Sequence, residues 1–126
     1  MNRNEQRIRA LCDRVRQTAF ELHTHLRNGH LEKVYENGMA HRLRKIGLSV
    51  EQQKPLQVRD EDGTLLGNFF ADLFVENCLI LELKAAKTLA PEHIAQTLGY
   101  LRASGQRDAM LINFGAAKLQ VKKLIL

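Results

Sequence analysis

From Asn4 to Leu26 apolar residues return at helical spacing, at Ile8, Leu11, Cys12, Val15, Ala19, Leu22 and Leu26, while Arg7, Arg9, Arg14 and Arg16 take other faces. The pattern predicts an amphipathic N-terminal helix within residues 1–27. Asn28 and Gly29 interrupt it, and a second helical pattern runs through Leu31, Val34, Tyr35, Met39, Leu43 and Ile46 until Gly47. Beyond Gly47 the texture changes to Val, Leu and Phe, broken by the turn signals at Glu61–Gly63 and Glu76–Asn77. Three strands in a meander are predicted there. Pro55 cannot donate to a ladder, which puts the first of them at an edge or on a bulge. Residues 90–105 then read as a helix, with Pro91 in its first turn and Gly105 at its C-terminal cap.

The run from Asp108 to Gly115 is continuously apolar at its centre, as expected of a strand buried on both faces. A strand, helix, strand order implies a right-handed parallel crossover. Residues 118–126 close the chain as a last strand with imperfect alternation. The expected architecture is α/β, a central mixed sheet flanked by helices in the order ααβββαββ.

The 126 residues, 44% of them hydrophobic, suit one globular domain over residues 1–126. Apolar runs are too short to span a membrane, and the N-terminal residues lack the apolar block of a signal peptide. A soluble cytoplasmic protein is the expectation. Cys12 and Cys78 are far apart, without the spacing of a redox motif or zinc site, and read as free, buried thiols. A net charge of +5, dispersed from Arg3 to Lys123, favours a polyanionic partner without demonstrating one.

Candidate chemistry begins in the middle hairpin. Side chains alternate across a strand, which puts Phe69, Ala71, Leu73 and Val75 on one face and Phe70, Asp72 and Phe74 on the other. In the next strand Leu79, Leu81 and Leu83 oppose Ile80, Glu82 and Lys84. Both leucine-rich faces reach one core if the loop is odd, as Glu76, Asn77 and Cys78 would make it. That register sets Asp72 directly opposite Glu82, and two like charges so placed are destabilising. A shared proton, a nearby lysine or a divalent cation on oxygen ligands would each compensate. Lys84, on the same face, is placed to reach a metal-bound water or a phosphate oxygen. A Glu and Lys pair at a solvated strand end would look the same and contribute little.

Further polar residues fall at suggestive positions. Glu32 lies in the first turn of the second helix, three residues before Tyr35, where it could equally complement the helix dipole. Gln96 and Tyr100 share one face of the third helix, with His93 adjoining. Together these residues resemble the GxxExxY family, a branch of the PD-(D/E)xK nuclease superfamily. Gly29, Glu32 and Tyr35 match the naming motif, Asp72 the acidic strand, Glu82 and Lys84 the E-x-K element, and Gln96 and Tyr100 the Q-x-x-x-Y helix. The strand "MLINFG" matches the closing strand, so the resemblance covers roughly Leu26 to the C-terminus.

The resemblance implies a restriction-endonuclease-like core and a metal-dependent nuclease, acting on DNA ahead of RNA. Asp72, Glu82 and the backbone carbonyl of Leu83 would hold Mg²⁺ or Mn²⁺, with Glu32 completing the cluster directly or through water. Lys84 would activate or position the attacking water, and Gln96 and Tyr100 would organise the substrate side. A two-fold homodimer is one way for so small a domain to gain reach over a duplex. His23 and His25, two apart on a helix, point to different faces and do not make a zinc site. No phosphate-cradling glycine loop or G-x-S-x-G element is present. The rival from another class is a module that keeps the fold and binds nucleic acid or protein without cleaving.

Overall fold

A computed structural model describes all 126 residues. Two helices, α1 (Arg3–Leu26) and α2 (Glu32–Lys45), precede the strands β1 (Val50–Arg59), β2 (Leu65–Val75) and β3 (Leu79–Lys84). Helix α3 (Pro91–Ser104) and the strands β4 (Asp108–Asn113) and β5 (Gln120–Ile125) complete the order ααβββαββ. The sheet runs β1-β2-β3-β4-β5 in sequence order, antiparallel except for the parallel β3 and β4 that α3 connects.

Each helix pattern is used as its spacing requires. Leu11, Val15, Ala19 and Leu22 of α1 join Tyr35, Met39 and Leu43 of α2 over one face of the sheet, formed by Leu73, Val75, Leu79, Leu81, Leu83, Met110 and Ile112. On the opposite face Leu101 of α3 packs with Phe74, Ile80, Ala109 and Leu124. β4 is buried along its whole length because it has an apolar layer on each side. β5 lies at an edge and divides its residues between the two layers, Val121 to one and Leu124 to the other, which explains its imperfect alternation.

The β2–β3 loop has the predicted odd length, and Val75 pairs with Leu79. Glu76 and Asn77 both take left-handed backbone, with φ of 52° and 54°, and Cys78 N–H closes the turn on Val75 O at 3.1 Å. Pro55 lies on the edge strand β1, as expected.

The expected single apolar face of β2 is not continuous. Leu73 and Val75 do face α1 and α2, but Ala71 packs in the opposite layer and Phe69 stacks on Tyr100 of α3. β1 changes sides at the same level, with Val50 in the first layer and Leu56 against the second. The crossing falls at Gln53, which the ladder places between the pairs Gln52–Leu73 and Lys54–Ala71 and which has φ of 52°. The register is unbroken on either side, so both strands change layers at the same level, where β1 departs from extended backbone.

Leu81 is fully buried at the centre of the larger layer. Leu81→Ala should lower unfolding free energy by about 2 to 5 kcal/mol in urea titrations, from lost transfer energy plus the cavity left behind.

Candidate active site

The β2–β3 ladder ends one pair early. Leu73–Leu81 is its last pair, and Asp72 does not continue into a direct cross-strand pair with Glu82 as expected. Instead the Asp72 Oδ2 accepts the Leu83 N–H at 2.8 Å, inserting a side chain where a main-chain carbonyl would stand. The two strands therefore fork at this level. N–H and C=O of one strand residue point the same way, so the Leu83 carbonyl also faces the fork.

Glu82 is only 4% exposed, and its Oε1 has no hydrogen-bond partner. Burial pushes its carboxyl up to about 9, the Asp72 charge and a hydrogen bond with the Asp72 carboxyl add to the rise, and Lys84 only partly opposes it. Burial and the Asp72 charge thus both favour the protonated Glu82 carboxyl, the first of the compensations open to the pair.

Glu32 begins α2, where the chain enters from the tight α1–α2 connection. Gly29 adopts φ of 115°, and the Tyr35 hydroxyl fastens the loop by donating to Arg27 O at 2.6 Å and accepting from His30 N–H at 3.2 Å. Tyr35 itself is fully buried and stacked on Phe114 at 4.7 Å, so it holds the loop and does not reach the acids. The Glu32 carboxyl is turned toward the fork. Burial raises its pKa, and Asp72 and Glu36 add to this, against the lowering effects of Lys84 and a hydrogen bond from the Ala85 backbone.

A pocket of about 230 Å³ opens between α2 and the fork, lined by Glu32, Lys33, Glu36, Gln53, Asp72 and Leu83. Three of these residues, Lys33, Glu36 and Gln53, escaped the sequence reading. Glu36 is 4% exposed and accepts from Lys33 Nζ at 2.9 Å, Gln52 Nε2 at 2.8 Å and Gln53 Nε2 at 2.6 Å. Gln53 Nε2 also lies 3.4 Å from Asp72 Oδ1, tying the α2 acid to the strand acid. Glu36 follows Glu32 by four residues, a helical-face signal that could have found it. Nothing in the residue type of Gln53 announces its left-handed backbone.

On the opposite side of the fork stands Tyr100. Burial raises its pKa first, then the charges of Glu82 and Asp72, while a hydrogen bond with Gln96 lowers it. Its ring stacks on Phe69 at 3.9 Å and 12°. His93 is occupied elsewhere, its Nδ1 accepting the Ala90 N–H at 3.0 Å to cap α3. His23 bonds Ala116 O at 3.0 Å and His25 is exposed, as their spacing predicted.

The far end of β3 is clamped from β4. Asn113 accepts the Ala86 N–H and donates to Ala86 O, both at 2.9 Å, and Phe114 N–H bonds Lys84 O at 2.8 Å. Gly115 lies so close to Ala85 and Ala86 that a Cβ would overlap their backbone. Lys84 thus leaves a rigid main chain, with no ion pair of its own.

No three His, Cys, Asp or Glu side chains close into a ready-made ion cage. Asp72 and Glu82 do fit a hard divalent cation. Mg²⁺ commonly takes one or two carboxylates and keeps several waters, and the unpartnered Glu82 Oε1 is an acceptor without a donor.

A pH dependence follows from Glu82. Its folded value of about 9 exceeds its ordinary 4.5, so between these limits the folded state holds a proton that the unfolded state has released. Stability from this group is full below pH 4.5 and declines as pH rises toward 9. In EDTA, Glu82→Gln should abolish that decline and exceed the parent by roughly 2 to 4 kcal/mol near pH 8, measured by urea unfolding across pH. Parallel pH profiles for the two proteins would refute the assignment.

No helix is long and apolar enough to cross a membrane. Comparison with curated proteins and with solved structures returned no match. Residues 9–124 match the family model of the PD-(D/E)XK nuclease superfamily, a span that includes most of α1 and all of α2, the fork and α3. The chain belongs to the PD-(D/E)XK nuclease superfamily.

Proposed function

We propose that the fork is the active centre of a divalent-metal-dependent nuclease of the GxxExxY branch, with DNA ahead of RNA as substrate. The observation that carries this reading is the buried Glu82 oxygen without a partner, beside Asp72 and two residues before Lys84. A binding surface for a phosphate backbone gains nothing from adjacent buried acids, which repel it unless a cation intervenes. Assignment to the branch is supported by the work its naming residues do: Gly29 turns the loop, Tyr35 locks it, and Glu32 between them is directed at the fork.

In this reading Asp72, Glu82 and the Leu83 carbonyl hold Mg²⁺ or Mn²⁺, and Glu32 assists through water. Bound there, the cation supplies positive charge to the phosphoryl oxygen and acidifies a water. Lys84, on its clamped backbone, positions the attacking water and offsets the charge that develops on the phosphate. Tyr100, held by Phe69 and hydrogen-bonded with Gln96, lines the side from which the substrate approaches. The leaving oxygen takes its proton from solvent water. Function in the cytoplasm, on nucleic acid and as a homodimer completes the proposal.

The deciding experiment incubates the protein with linear duplex, supercoiled plasmid, single-stranded DNA and RNA in Mg²⁺, Mn²⁺ or EDTA. Cleavage should require the metal and fall by roughly 10²-fold or more in Lys84→Ala, with metal binding by calorimetry largely retained. Asp72→Ala should lose both cleavage and metal binding. Full activity of Lys84→Ala would remove that residue from the mechanism. Binding of nucleic acid with no turnover on any substrate would favour a non-catalytic module.

A further inference from the structure

A second, larger cavity of about 740 Å³ lies at the other end of the sheet. It is bounded by the first turns of α1, the β2–β3 turn at Cys78, and the segment from Arg107 to Asp108 that leads into β4. The length of β3, roughly 17 Å at about 3.3 Å per residue, separates it from the fork. Nothing in the proposed nuclease chemistry uses it.

Its lining is cationic in a specific way. Five of the residues around it are Arg or Lys, against three acids. Each acid is already engaged: Asp108 with Lys123 Nζ at 2.8 Å, Asp13 with Arg16 at 3.3 Å, and Glu5 with the Asn2 side chain at 3.0 Å. Arg7, Arg9 and Arg107 are left without an ion pair. Arg107 is held at the mouth by its main chain, whose carbonyl accepts the Leu126 N–H at 2.9 Å. Between these cations the wall is apolar, with Ile8, Cys12, Cys78 and Ile125.

We propose that this cavity is a binding site for a phosphate monoester carried on a planar or apolar body, the nucleotide class of ligand. Its volume falls within the range of small-molecule sites. Unpaired guanidinium groups match the geometry and charge of a phosphate, and a guanidinium plane also stacks on a flat ring. The apolar wall supplies the surface that inorganic phosphate would leave uncovered. A free nucleotide and the 5′-phosphorylated end of a nucleic acid present the same chemistry.

Calorimetry of the full chain with adenosine 5′-monophosphate, adenosine, inorganic phosphate and a short oligonucleotide with or without a 5′-phosphate tests the site. The phosphorylated nucleotide should bind, adenosine should not, and inorganic phosphate should bind at least tenfold more weakly. Arg107→Glu and, separately, Arg7→Ala should each weaken binding at least tenfold without changing cleavage of supercoiled plasmid, which has no 5′ end, and this keeps the result independent of the fork. Occupancy should also slow alkylation of Cys78, a half-buried free thiol in the wall, read by mass spectrometry. Tighter binding of the 5′-phosphorylated oligonucleotide than of the nucleotide would assign the site to nucleic-acid ends, and the reverse to free nucleotides. Phosphate-independent binding, unaltered affinity in both arginine variants, or no binding of any phosphorylated probe would overturn the proposal.

Discussion

The hydrogen bond from the Leu83 N–H to the Asp72 carboxylate is the contact on which the candidate site depends. A strand amide at this position would ordinarily meet a neighbouring carbonyl, and the sheet would zip closed. With a side-chain oxygen as acceptor, the main chains part, and the Leu83 carbonyl and Glu82 are left at the mouth of the gap. The acidity that makes the site useful is therefore the agent that opens it. A neutral apolar residue at position 72 would remove the acceptor and favour extension of the ladder past Leu73 and Leu81.

Support for this contact arrives from three layers of structure. Gln53 stands where β1 changes layers and reaches both Glu36 and Asp72 with one amide. Glu36, buried on α2, is satisfied by three donors, so the helix is fastened to the strands by a network without unpaired members. The α1–α2 connection fixes where α2 begins, through Tyr35 and its stack on Phe114. Lys84 is set from the other direction by Asn113 and Gly115. The acids are held by α2 and β1, whereas the lysine is held by β4.

Much of this was legible in the chain. Helical periodicity gave both first-layer helices because each has a single apolar stripe, and Gly29, Gly47 and Gly105 stand where positive φ ends or turns an element. The odd loop after Val75 follows from the parity of the leucines, and Glu32, Asp72, Glu82 and Lys84 lie within electrostatic reach of one another. What alternation could not reveal is the crossing of β1 and β2 from one layer to the other. It falls at Gln53, a residue type with no preference for the left-handed backbone it adopts there. Because the crossing occurs beside Asp72, simple parity failed at the site: Ala71 and Phe69 changed layers, and the acids forked where a direct pair was expected.

The outer margin of β1 has a further consequence. An edge strand with a full row of donors and a flat backbone is a template on which another chain can pair. The hairpin it belongs to exposes Leu65, Leu66 and Phe70, which would make such pairing adhesive. Pro55 removes one donor from that margin, and the left-handed Gln53 interrupts its extended backbone two residues earlier. The residue that ties the two acids together thus also spoils the edge as a seed for strand addition. Protection of the sheet edge and site geometry meet at the same backbone angle.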